Sequence, residues 1–117
     1  MAFRTPAIKN YILATGSYDA ACAYVALAST VGTSTAGTEL TGGAPAYARV
    51  VSNWGAASGG VQTASPAAQN VASGSTVADA EFFSAITVGT YYDGGSVTSQ
   101  AFASQGTYQV TLTQTLT

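Results

Sequence analysis

Apolar residues along this chain keep a helical period only near its start. Ile8, Tyr11 and Ile12 recur at the i, i+3, i+4 spacing of one helical face. Thr5 is suited to cap the first turn, and Pro6 to the first helical position, where its missing N–H costs nothing. Gly16 is a suitable stop, because glycine enters the left-handed region freely. The spacing therefore predicts a helix of about ten residues, too short to be stable unless it packs on something.

Beyond Gly16 the pattern turns to alternation and short apolar runs. Ala21 to Leu27 reads as a largely buried strand, and Ser29 to Pro45, rich in Gly and Thr, as a long exposed connection. Tyr47 to Trp54 alternates, with Ala48, Val50, Ser52 and Trp54 on the better core face. Gly59-Gly60 and Gly74 punctuate weaker strands over Val61 to Ala64 and Ala68 to Ala72. Val77 to Val88 is the most hydrophobic stretch and is long for one strand, so a bulge or bend is expected near Ser84. Asp93-Gly94 after Tyr91-Tyr92 is a hairpin signal, with a strand from Ser96 to Ala103 returning from it. In Thr107 to Thr117, Tyr108, Val110, Leu112 and Leu116 form one row and the threonines the other, with Gln114 breaking the apolar row. This last strand is expected to pin the C-terminus into a sheet.

Six to eight short strands and one helix predict an all-β domain over residues 1–117, an antiparallel β-sandwich or jelly-roll-like fold. Residues 1–16 would form a helical arm and 29–45 a Gly/Thr-rich loop. Neither a heptad nor a period of solenoid length is present.

Charge changes the picture. Only 7% of the residues are charged, against about 25% in an average soluble domain. They are Arg4, Lys9, Asp19, Glu39, Arg49, Asp79, Glu81 and Asp93, for a net charge of −2. So few ionic groups predict a surface that meets other protein. Three scattered cations cannot neutralise a phosphate track, so nucleic acid is not an expected partner. No apolar run approaches the roughly 18 residues that span a bilayer, so no membrane partner is expected. No signal peptide is apparent. The protein is expected to stay where it is made, or to leave inside an assembly. The single cysteine, Cys22, excludes an intramolecular disulfide and reads as a small buried residue.

Candidate chemistry is sparse. Without histidine there is no Ser-His-Asp or Cys-His arrangement, nor a Cys/His zinc site. No phosphate or dinucleotide motif occurs. Asp79 and Glu81, two apart on a predicted strand, share a face; they could act as an acid–base pair or bind Ca²⁺, but a solvated strand edge explains them better. Asp93 reads as a hairpin residue. Arg49, inside an apolar strand, needs acceptors and could pair with Glu39 or with a neighbouring subunit's carbonyls. Trp54, Phe82 and Phe83 read as core, whereas Tyr91 and Tyr92, beside a predicted hairpin tip, are interface or ligand candidates. No catalytic, metal or cofactor-binding residue is assigned, and no cofactor is expected.

Several pieces in order carry a family resemblance: Gly37-Thr38-Glu39-Leu40-Thr41-Gly42-Gly43, Tyr47-Ala48-Arg49, Trp54-Gly55-Ala56-Ala57-Ser58-Gly59-Gly60, and Gln105-Gly106-Thr107-Tyr108. Over residues 20–117 the chain resembles short proteins of tailed bacteriophages, particularly phages of actinobacteria, labelled head decoration or tail fibre proteins. The resemblance is loose over Ala80-Glu81-Phe82-Phe83-Ser84. It implies a non-enzymatic virion structural protein, made in the host cytoplasm and present in many copies. The expected role is capsid decoration, with the major capsid protein and copies of itself as partners, in small symmetric clusters such as trimers. Candidate interface residues are Arg4, Ile8, Tyr11, Glu39, Arg49, Tyr91 and Tyr92. A tail-associated receptor binder would use Tyr91 and Tyr92 against a glycan, and a small glycan hydrolase would use Asp79 and Glu81.

Overall fold

Thr5 caps the first helix as its chemistry requires. Its Oγ1 accepts the Ile8 N–H at 3.1 Å and donates to the Tyr92 carbonyl at 2.5 Å. The computed structural model describes residues 1–116 and runs this helix, α1, over Pro6–Thr15. Gly16 ends it at φ 70°, donating its N–H to the Ile12 carbonyl. Ile8 is fully buried, and Tyr11 and Ile12 pack against the same core.

The rest is mostly β, in several antiparallel sheets. After a single helical turn, α2 (Tyr18–Ala21), come β1 (Tyr24–Ala28), β2 (Val50–Val51), β3 (Val61–Ala64), β4 (Gln69–Val71), β5 (Thr76–Phe83), β6 (Tyr91–Ala101), β7 (Gly106–Tyr108) and β8 (Leu112–Thr115). The main sheet has the order β2-β1-β5-β6, and two small sheets pair β3 with β8 and β4 with β7.

Register separates the two faces of the main sheet, because residues opposite one another in antiparallel strands share a face. Val25 lies opposite Val50 and Phe82, and Phe82 opposite Asp93; Leu27 lies opposite Ala80. This face joins Ile8, Ala64, Val71, Val77, Phe102, Val110 and Leu112 in one hydrophobic core. The other face carries Tyr24 with Val51 and Phe83, then Ala26 with Glu81 and Gly94, then Ala28 with Asp79 and Ser96. Residues 29–49 and the N-terminal arm cover it with polar groups.

Several elements differ from expectation. The chain does not turn at Asp93-Gly94. Both sit inside β6, and the reversal lies at 84–90, where Val88 (φ 57°) and Gly89 (φ 68°) take left-handed conformations. Gly94 serves close approach instead: a Cβ there would lie 2.6 Å from the Ala80 carbonyl and 2.8 Å from Arg4 Nη1. The run Val77 to Val88 accordingly splits into β5 and this turn, with irregular register at Val77/Asp79 and at Phe82/Phe83, and the bend expected near Ser84 begins there.

The strand expected over Ala21 to Leu27 begins only at Tyr24, because α2 closes one turn first. Of Tyr47 to Trp54 only Val50–Val51 pairs regularly, while the Tyr47 N–H turns back to the Gly42 carbonyl at 2.8 Å and Arg49 is held through its guanidinium. The C-terminal stretch splits between β7 and β8, which pair with different strands. Its inward row still holds for Val110, Leu112 and Gln114, whereas Leu116 is exposed. Thr117 lies outside the described residues. Residues 29–45 are not a free loop either: Gly32 and Leu40 are buried, and Ser29 donates to the Thr38 carbonyl at 2.8 Å.

Candidate functional site

The charged residues organise the outer face of the main sheet. The Arg4 guanidinium grips Asp79 with two parallel bonds, Nη1 to Oδ2 at 2.6 Å and Nη2 to Oδ1 at 2.7 Å. The Gly32 N–H adds a third bond to Asp79 at 2.9 Å. Glu81 follows on the same face, accepting the Gly37 N–H at 2.7 Å on Oε2, while Arg4 Nη1 stands 3.9 Å away. Its Oε1 is buried and has no partner among the described residues. Tyr91 closes the group, donating to the Thr33 carbonyl at 2.9 Å and accepting from Arg4 at 3.3 Å. Two carboxylates thus share one guanidinium. Burial first, then Asp79, pushes the Glu81 carboxyl up to about 7, against the opposing pull of the Gly37 N–H and Arg4.

A second group sits on the same face. Arg49 holds Glu39 through Nε at 2.9 Å and Nη2 at 2.8 Å, and its guanidinium lies 3.7 Å over the Phe83 ring. Tyr47 donates to Glu39 at 2.7 Å and accepts the Leu27 N–H at 3.0 Å. Burial alone would raise the Glu39 carboxyl, but the bonds from Arg49 and Tyr47 outweigh it and hold it below the usual range. Arg49 Nη1 reaches on to the carbonyls of Ala85 (2.9 Å) and Val88 (2.7 Å), so the β5–β6 turn hangs on this arginine.

On the core side, Asp93 accepts from Tyr18 Oη at 2.6 Å, Gln114 Nε2 at 3.1 Å and the Arg4 N–H at 3.0 Å. This explains the polar break at Gln114. Cys22 is buried, and burial pushes its thiol well up. Beside this cluster, α1, α2, residues 54–62 and the end of β8 border an open groove of about 510 Å³.

The seven candidate interface residues mostly meet one another. Arg4 binds Tyr91, Glu39 binds Arg49, and Tyr11 packs edge-on against Tyr92 at 5.6 Å. Ile8 is fully buried in the core, so it offers no docking surface. Its helical stripe faces inward, as an amphipathic stripe ordinarily does. Arg49 does pair with Glu39, inside one chain. Phe82 joins the core and Phe83 is buried on the opposite face, while Trp54 is half-buried at the groove. Asp79 and Glu81 share a face but are not a solvated edge: β5 is a central strand, and both side chains are fully buried. Neither carboxyl is open to solvent in this arrangement. Among the described residues, no three His, Cys, Asp or Glu side chains converge as metal ligands.

The large exposed apolar residues are others: Leu13, Val31, Val51, Val61, Ile86, Val88 and Leu116. Ile86 and Val88 end the most hydrophobic stretch of the chain, yet the left-handed turn carries them to the surface. No protein-family model, curated protein or solved structure matches the chain.

Proposed function

We propose that this chain is a non-enzymatic structural subunit of a tailed-bacteriophage particle that docks in many copies on the capsid as a decoration protein. The observation that carries the reading is the inward use of charge. Arg4, Glu39, Arg49, Asp79, Glu81 and Asp93 are all engaged inside the chain, which leaves Lys9 exposed and Asp19 half-exposed to face water. A surface so poor in ionic groups, with large aliphatics exposed, is suited to contact with protein. The family resemblance of residues 20–117 supplies the kind of assembly. The finer fold reading that accompanies it is a β-sandwich, with the main sheet facing the two small ones across the core.

Decoration needs no covalent chemistry, only interfaces repeated over a lattice. Mass spectrometry of purified particles, with copy number measured against the major shell protein, tests the reading. Many copies per particle are expected. An abundant product in infected cells that is missing from finished particles would overturn it.

A further inference from the structure

Residues 31–37 lie against the outer face of the main sheet, yet they contribute no side chain to the hydrophobic core. Val31, Thr33, Ser34 and Thr35 are exposed, and the one buried residue among them is a glycine, Gly32. The flanks draw the two ends together, with the Ser29 N–H on the Thr38 carbonyl and the Thr38 N–H on Thr30 Oγ1, both at 2.8 Å. Among the described residues, three hydrogen bonds fasten the segment to the sheet: Gly32 N–H to Asp79, Gly37 N–H to Glu81, and Tyr91 Oη to the Thr33 carbonyl. It is a strap, held by the acidic layer beneath it and not by apolar burial. The fit is close. A Cβ at Gly32 would collide with Glu81 Oε2 and lie 2.9 Å from Tyr91 Oη.

The charges under the strap do not balance if both acids are ionised. Arg4 spends its paired bonds on Asp79 and stands 3.9 Å from Glu81 Oε2. Glu81 keeps one neutral donor, the Gly37 N–H, and a buried Oε1 with no partner among the described residues. The other elements packed around it bring no further cation. Tyr91 from β6 is a neutral phenol, its hydroxyl pushed up by burial against the pull of Arg4. Ala26 on β1 and Gly94 on β6 stand opposite Glu81 in the sheet. Arg49, the chain's other guanidinium, is bound to Glu39. A proton on Glu81 removes the surplus charge and lets the acid hydrogen-bond to Asp79.

We propose that residues 31–37 are a proton-latched strap: neutral Glu81 keeps it shut, and ionisation of Glu81 lifts it off the outer face of the main sheet. The direction follows from linkage. With the strap shut, burial and then Asp79 push the Glu81 carboxyl up to about 7; with it lifted, water reaches the carboxyl, which returns toward 4.5. The shut form binds the proton more tightly, so its advantage falls as pH rises between those values. The Gly37 N–H favours the ion, but a single neutral donor does not replace hydration. Lifting breaks the bonds of the strap and leaves the core intact, so it proceeds without global unfolding. The latch acts within one copy and does not depend on the assembly that the chain joins.

Amide hydrogen exchange followed by NMR tests it, with rates corrected for the intrinsic pH dependence of exchange. Gly32 and Gly37 are expected to be less protected than the amides of β5, and to lose protection about tenfold between about pH 6 and pH 8. Glu81→Gln keeps an acceptor for Gly37 and cannot ionise, so it should abolish that loss. Tyr91→Phe removes the Thr33 bond and should lower the protection of both glycines at each pH. Glycine amides as protected as those of β5, protection independent of pH, an equal loss in Glu81→Gln, or unchanged protection in Tyr91→Phe would each overturn the proposal. If Glu81→Gln loses its unfolding transition, a carbon NMR titration of the Glu81 carboxyl in the unaltered chain decides. A midpoint near 7 supports the latch, and one near 4.5 overturns it.

Discussion

The two faces of the β2-β1-β5-β6 sheet are held by opposite physics within one strand. On β5, Ala80 and Phe82 point into an apolar core, where burial is non-directional and rewards area removed from water. Their neighbours Asp79 and Glu81 point the other way, into a buried layer that works only if every partner is in place. A buried ion pair gains from geometry what it loses in desolvation, so removing one member leaves an uncompensated charge. The lesson concerns composition. A chain with 7% charged residues has not dispensed with charge; it has moved most of it inside.

The largest expected effects test whether the faces matter equally. Arg4→Ala strands two buried carboxylates and should cost about 3–5 kcal/mol. Phe82→Ala should cost a similar 3–5 kcal/mol, roughly, through a core cavity. Urea unfolding across pH then tells them apart. The Phe82 variant should run parallel to the unaltered chain, whereas the Arg4 variant should lose stability more steeply toward high pH.

Next in size is the proton on Glu81. Its carboxyl titrates at about 7 in the fold and near 4.5 in the unfolded chain. Between those values the folded chain holds the proton longer. The stability it confers is therefore full below pH 4.5 and falls as pH rises to 7, by up to about 3 kcal/mol. Glu81→Gln keeps an acceptor for Gly37 and should flatten that slope, leaving the variant the more stable form at pH 8. An unchanged slope in Glu81→Gln would assign the pH response to another group.

Gly94 lies where strand β5 and the arm crowd together. Gly94→Ala should cost about 1–3 kcal/mol by overpacking, while Ser96→Ala, exposed on the same strand, should stay within about 0.5 kcal/mol. Thermal unfolding of the pair checks the distinction. The smallest effect has the opposite sign. Val88→Asn relieves a left-handed β-branched residue and should raise stability by about 1 kcal/mol, read as a higher melting temperature. A lower melting temperature would mean that the Val88 side chain contributes contacts the turn needs.

Local signals were legible in the sequence where one residue type has one cheap conformation. Thr5-Pro6 and Gly16 bounded α1, and Val61 to Ala64 became β3 residue for residue. The Arg49–Glu39 pairing was legible too, since a guanidinium in an apolar segment demands an acceptor. Asp93-Gly94 misled because Gly signals close approach as readily as a turn, and the approaching group, Arg4, is 89 to 90 positions away in sequence. The exposure of Ile86 and Val88 was not legible, because hydrophobicity reports what a side chain prefers, not what the backbone allows.

By itself the sequence determined a mostly β chain opened by one capped helix, poor in charge and without imidazole chemistry, because period, capping and composition act over a few residues. The tertiary structure alone decided that β5 is central, that one arginine serves two carboxylates, and that the β5–β6 turn faces water. Those outcomes depend on which distant segments pair, and strand pairing is set by contacts across the whole chain that no local pattern encodes.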